Sequence, residues 1–311
     1  MTVPPASTRA TSTQATANEQ PVDGGRIIPV RHPGQWIGVA AILVAAALFV
    51  QFLVTNEKLR LDLVAGYLFE RSVMRGLLLT LELTVVAMVL GIVLGTLLAI
   101  MRLSGNRVLS FVASGYIWFF RGTPILVQLL FWFFLGSILP MINLGIPFGP
   151  TFVEIPTNVL ISQFTAAILG LGLNEAAYMA EIIRAGIKSV DPGQSEAAEA
   201  VGMGRMLAYR RIILPQASRV VLPPIANNTI SMLKLSSLVI VVGLPELLTA
   251  VQLIYSRNFQ QIPLLIVASI WYLLLTTILT IIQVRIERRL DRSVTGPRPA
   301  IRVAERQGTP S

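Results

Sequence analysis

The sequence has no cysteine and a single histidine, His32. The first absence removes a disulfide framework, a thiolate metal site and a cysteine nucleophile. The second leaves imidazole catalysis and metal ligation without a candidate, because His32 stands in a polar tail ahead of the first apolar run. Charge is scarce too. Of 311 residues 13% are charged and 54% hydrophobic, whereas a soluble domain of this size needs many more charges to cover its surface. The phosphate-loop pattern GxxxxGK(S/T), GxSxG and HExxH are all missing. Nothing therefore points to ATP bound by that route, to a serine hydrolase or to a zinc protease. A membrane-embedded enzyme has no nucleophile, base and metal constellation to work with.

What the chain does have is long apolar runs, so its solvent over much of its length is lipid. Residues 1–34, rich in Ser, Thr, Ala, Pro and Gly, read as a disordered tail. The run 36–54 comes too late for an ordinary signal peptide, and no good cleavage site follows, so it reads as a retained membrane helix. Five further spans are predicted at about 76–101, 123–140, 161–186, 222–244 and 262–284, with a basic tail over 291–311. The fold class is all-α integral membrane. Gly91 and Gly95 form GxxxG within the second span, a spacing that brings helix backbones together or is incidental.

The formal charge of +9 has no basic and aromatic motif beside it, which argues against nucleic acid. It fits spans flanked by Lys and Arg on the cytoplasmic side. With both termini inside, nineteen basic residues fall inside and five outside (Lys58, Arg60, Arg71, Arg75 and Arg257), with Lys234 left in a span. Four of those five crowd into 55–75, which resists the pattern, although Glu57, Asp62 and Glu70 accompany them.

The stretch Asp191 to Pro215, DPGQSEAAEAVGMGRMLAYRRIILP, is too polar to enter lipid. Asp191 can cap a helix, Pro192 suits its first position, and Gln194 is placed to complete a capping box. Glu196-Ala197-Ala198-Glu199-Ala200 favours helix and Gly202 supplies a stop. A second short helix is expected over about 204–213, ending at Leu214-Pro215. The result is two short helices bent at Gly202 on the membrane face. This is either an amphipathic interfacial element or a surface on which a partner seats, with Ala197, Ala198 and Gly202 allowing close approach.

Glu196-Ala197-Ala198, Gly202 and Ile213-Leu214-Pro215 resemble the cytoplasmic signature of permease subunits of binding-protein-dependent ABC importers. Phe120-Arg121-Gly122-Thr123-Pro124 with Val127-Gln128-Leu129, Ala177-Tyr178 with Glu181-Ile182, and Leu214-Pro215-Gln216-Ala217 are similar to the polar amino acid branch (histidine, glutamine, glutamate, arginine and opine permeases). The likeness covers about 72–290. It implies a type I ABC importer transmembrane domain with a five-span core, to which 36–54 is an additional N-terminal helix. It implies a coupling loop over 189–221 in which Glu196, Ala197, Ala198, Gly202, Leu214 and Pro215 meet an ATPase subunit. It also implies an ATPase dimer that binds ATP and Mg, an extracytoplasmic solute-binding protein, and a second permease copy or paralogue in a bacterial inner membrane. Many members of the branch read Lys-Asp-Thr-Ser-Leu where this chain reads Lys234-Leu235-Ser236-Ser237-Leu238, which puts a copied substrate assignment in doubt, particularly for a cationic amino acid.

Ionisable groups within spans are expensive and tend to face partners or water. Glu82, Glu181 and Lys234 are such groups, and Glu175 lies higher in the span of Glu181. Lys234 can meet an α-carboxylate and Glu181 an α-ammonium group along a substrate path beside Leu235 and Ser236. Alternatively the two neutralise each other, or Glu181 pairs with Arg184 three residues on. Arg121-Gly122-Thr123-Pro124 reads as a structural elbow at the entry of a span. An ion-coupled secondary transporter would also use membrane carboxylates, but leaves the 191–215 segment unexplained.

Overall fold

The structure is a computed structural model in which residues 33–146 and 151–292 are described. The tails assigned to 1–34 and 291–311, with His32, fall outside those residues except for helix ends at 33–34 and 291–292. The chain divides after Asn56 into two units. The first holds α1 (Pro33–Thr55), whose 23 residues rise about 34 Å, enough for a hydrocarbon layer of about 30 Å.

The second unit begins with α2 (Leu61–Tyr67) and α3 (Arg71–Leu103). Glu70 starts α3 by accepting the backbone N–H groups of Ser72 at 2.7 Å and Val73 at 3.3 Å, together with the Ser72 hydroxyl, so it satisfies donors that a helix start leaves open. Then come α4 (Arg107–Gly122), α5 (Ile125–Phe133) and the single turn α6 (Leu135–Ile138). An antiparallel hairpin, β1 (Met141–Gly145) with β2 (Thr151–Pro156), leads through α7 (Thr157–Leu160) to α8 (Gln163–Lys188). The hairpin was not foreseen in the sequence. The chain continues through α9 (Pro192–Ala200), α10 (Arg205–Ala208), α11 (Leu214–Leu235), α12 (Leu247–Asn258) and α13 (Gln261–Arg292).

The centre is the pair α3–α8. A Cβ on Gly91 would stand 2.8 Å from Glu175 Cγ, and one on Gly95 would stand 2.4 Å from Met179 Cβ. Neither position has room for a side chain, so the two glycines let the helices touch. Leu83, Ala87 and Met88 of α3 pack there with Leu171 and Met179 of α8, Leu129 of α5 and Met232 of α11. A second cluster joins Val73 and Leu77 to Leu247 and Val251 of α12 and to Leu264 and Val267 of α13. Beside it Glu246, fully buried, caps α12. Its carboxylate accepts from Thr80 Oγ1 at 3.2 Å, Tyr272 OH at 2.9 Å, and the N–H groups of Leu248 and Thr249. The knot thus ties α3, α12 and α13 through donors from each, which is what a buried carboxylate requires.

Two predicted elements are corrected. The span read at 123–140 is not one straight helix: it holds α5 and the turn α6, divided at Phe134, and α4 before it meets α5 at 100°. Thr123 precedes Pro124, and the proline ring drives the preceding residue out of the helical region; accordingly Thr123 is extended at φ −111°, ψ 142°. The nine residues of α5 rise only about 14 Å, too short to cross a hydrocarbon layer alone, and α5 is long and apolar enough to do so only together with α4. The short helix expected to stop at Leu214-Pro215 instead runs on into α11 through a π turn at Tyr209–Ile213. Pro215, early in α11, has no N–H to continue an α-helical ladder, and the π turn stands immediately before it. The helical run is therefore continuous over 205–242, longer than the 222–244 span expected.

Candidate transport site and coupling surface

At the 100° bend the backbone loses helical hydrogen bonds, and two buried amides restore them. Gln128 Nε2 donates to the Phe120 carbonyl at 3.0 Å, the Thr123 carbonyl at 3.1 Å and Thr123 Oγ1 at 2.7 Å. Asn174 Nδ2, from α8, donates to the same Phe120 carbonyl at 2.8 Å and to Gln128 Oε1 at 3.2 Å. Irregular backbone among membrane helices is tolerated where it is buried in protein or lines a cavity, and the bend residues Arg121 to Pro124 line one.

The cavity beside the bend has a volume of about 460 Å³. Arg121, Gly122, Thr123 and Pro124 form one side of it, α8 contributes Asn174, Glu175 and Tyr178, and α11 contributes Asn228, Ser231 and Leu235. Glu175 is 5% exposed and accepts one hydrogen bond, from Asn228 Nδ2 at 3.0 Å. The Arg121 guanidinium lies 5.2 Å from the centre of the Tyr178 ring, a cation–π distance. One acid, one cation and two amides, Asn174 and Asn228, thus converge on a single concave space.

Other candidates lie elsewhere. Glu181 accepts from Arg102 at 2.7 Å on one oxygen and from Arg184 at 2.6 Å on the other. Both oxygens are occupied, by partners on α3 and α8, and Lys234 is neither of them. Lys234 is exposed and lines a separate depression with Ser237, Ser269 and Tyr272. Ser236 is buried, its hydroxyl donating to the Leu233 carbonyl at 2.7 Å, and Glu82 is exposed on α3. Sequence reasoning followed ionisable groups and so missed Gln128, Asn174 and Asn228. Amides inside apolar helices were the signal available.

In the polar segment, Asp191 caps α9 through the N–H of Gly193 at 2.8 Å, with Pro192 at the first position. The capping box does not form; Gln194 Oε1 instead accepts from Gln216 Nε2 at 3.4 Å. Gly202 has φ +75°, and its N–H bonds the Glu199 carbonyl while that of Met203 bonds the Ala198 carbonyl, both at 2.9 Å. This is the paired closure of a Schellman end. Glu196, Ala197, Gly202, Leu214 and Pro215 are exposed. Ala198, expected to face a partner, is only 2% exposed and packs within the chain, whereas Val201 at 76% and Met206 at 81% stand out from it.

Residues 91–292 match the sequence profile of the binding-protein-dependent transport system inner membrane component. The chain is 44% identical over 284 residues to the arginine transport system permease protein ArgU of Corynebacterium glutamicum, covering 90% of this chain and 87% of that one. It is 38% identical to the L-cystine transport system permease protein TcyB of Bacillus subtilis, over 70% of this chain and 86% of the relative. A crystal structure of an amino acid ABC transporter with histidines superposes with a TM-score of 0.59 at 37% identity, covering 70% of this chain and 94% of that one. With its apolar helices and its match to that profile, the chain belongs to the binding-protein-dependent transport system inner membrane component family: it is a multi-pass ABC importer permease of the type I fold.

Proposed function

We propose that this chain passes a polar amino acid across a bacterial cytoplasmic membrane by alternating access, with both termini inside, driven by a separate ATPase dimer that binds ATP and Mg. The observation that carries the proposal is the cavity at the helix bend, where a buried carboxylate and a guanidinium share one space with amides. A free amino acid offers the complementary pair. Arg121 takes its carboxylate, Glu175 its ammonium group, and Asn174, Asn228 and Ser231 its remaining polar atoms. Leu235 makes one wall of the cavity apolar and leaves Glu175 as the acid that lines it. Arginine is the first substrate to test, because the relative that is 44% identical is an arginine system.

The lever is α9–α10. Its backbone is closed at Gly202, while Ala197, Val201 and Met206 stay open to a partner. The π turn makes α10 continuous with α11, and α11 supplies Asn228 to the cavity. Displacement of the lever by a closing ATPase is thereby carried to the substrate wall. A second permease, either a copy or a paralogue, and an extracytoplasmic binding protein complete the importer. Solute and nucleotide must favour different global states for the two to be coupled.

The test is uptake by proteoliposomes that hold the permease, its ATPase and its binding protein. Glu175→Gln removes a charged partner worth about 1.5–3 kcal/mol. Uptake and substrate-stimulated ATP hydrolysis are expected to fall together by about 10- to 100-fold, while basal hydrolysis persists. Unchanged uptake would remove the cavity from the path.

A further inference from the structure

A second cavity, of about 650 Å³, opens between the start of α3 and the end of α12. Arg75 and Arg257 line it, and they belong to the basic residues that break the inside-positive pattern of the sequence. Arg60, another of that group, is matched by Asp62 at 3.3 Å. Among the described residues, neither Arg75 nor Arg257 has an ion-pair partner. Glu70 also borders the cavity, but its Oε2 is turned to the cap of α3, where it accepts Ser72 and Val73. The lining therefore carries two guanidiniums against one engaged carboxylate. Its other wall is apolar, with Ala250, Leu253 and Ile254 on α12.

Position decides the occupant. The membrane-crossing helices α3 and α13 begin beside the cavity, at Arg71 and Gln261, so it lies where hydrocarbon meets water. Neither guanidinium is paired with the Glu70 carboxylate, and phosphate is a group that guanidinium forks bind through two parallel hydrogen bonds. Continuity with an apolar wall suits a molecule that joins a phosphate to acyl chains. We propose that this cavity holds the head of an anionic phospholipid, with its phosphate on Arg75 and Arg257 and its first acyl carbons on Leu253 and Ile254. Basic pockets between membrane helices on the cytoplasmic side hold anionic heads, and the same guanidinium chemistry is offered here at the outer end of α3. Arg75 and Arg257 then serve a ligand instead of opposing the orientation rule.

The full chain, purified in neutral detergent and exchanged into mixed phosphatidylcholine and phosphatidylglycerol, is examined by native mass spectrometry. The wild type is expected to retain phosphatidylglycerol selectively. Arg75→Gln/Arg257→Gln should lower that preference by about 5-fold per charge, roughly 25-fold together, whereas Arg75→Lys/Arg257→Lys keeps most of it. Leu253→Trp, which fills the apolar wall and leaves the charges in place, should also release the lipid, and it covers the case in which the glutamine pair misfolds. Selectivity that survives the glutamine pair and Leu253→Trp alike would overturn the proposal. So would displacement of the lipid by millimolar inorganic phosphate or free amino acid, which would mark a soluble-anion site.

Discussion

Gly95 and Gly115 are both glycines within apolar helices, and they should answer replacement in opposite ways. At Gly95 an added methyl meets Met179 Cβ at 2.4 Å and the Ala176 carbonyl at 2.9 Å. Overpacking of this kind costs about 1–3 kcal/mol, more than the helix-propensity gain of about 1 kcal/mol for alanine over glycine. At Gly115 nothing lies within 4 Å, so the gain stands alone. Gly95→Ala should lower the thermal midpoint in detergent and Gly115→Ala should hold or raise it; equal shifts would deny the close approach of α3 and α8. At this scale the sequence was only partly legible. Spacing marked Gly91 and Gly95, but no local signal showed that Glu175, not Glu181, faces the cavity. About one and two-thirds helical turns separate them, and which face of α8 meets the bend depends on the 100° angle between α4 and α5. Glu246 was passed over because it follows Gly243 and Pro245, where a loop was the natural reading and a buried carboxylate was not.

Elements begin and end on identifiable side chains, and two of these make separate predictions. The Glu70 carboxyl is held below its ordinary range by the Ser72 hydroxyl and then by backbone N–H groups at the start of α3, against an opposing push from burial. A carboxyl whose pKa is lowered by folding stabilises the fold above its unfolded value, about 4.3, and loses that contribution as pH falls through the lower folded value. The stability gap between wild type and Glu70→Gln should therefore be widest near neutrality and close in acid. Parallel melting curves across pH would contradict this.

The second case is Gly202, at φ +75°. A side chain in that region costs about 1–2 kcal/mol, and asparagine is among the few that tolerate it. Gly202→Val should lower substrate-stimulated ATP hydrolysis in the assembled complex, while Gly202→Asn should retain most of it; equal activities would separate the bend from coupling. Apolar length located α1, α3, α8 and α13, helices that no bend divides. It failed where proline chemistry governs. The Arg121-Gly122-Thr123-Pro124 elbow was legible as the entry of a span, but not that a separate helix, α4, leads into it at 100°; and Pro215 looked like a stop although the helical run passes through it.

At the scale of the whole molecule, the cavity built by α4, α5, α8 and α11 and the exposed segment proposed as the lever are joined by one helical run, 205–242. The polar segment after α8 carried the family signature in plain sequence, whereas the cavity did not, because its walls come from residues far apart along the chain. The central claim is that energy for transport enters from an ATPase and not from an ion gradient. Proteoliposomes containing this permease and its binding protein, with or without the ATPase, test it most directly when radiolabelled arginine or glutamine uptake is followed under internal ATP or under an imposed proton or sodium gradient. Accumulation only with both ATPase and ATP is the predicted result. Accumulation driven by a gradient in the absence of the ATPase would contradict the account.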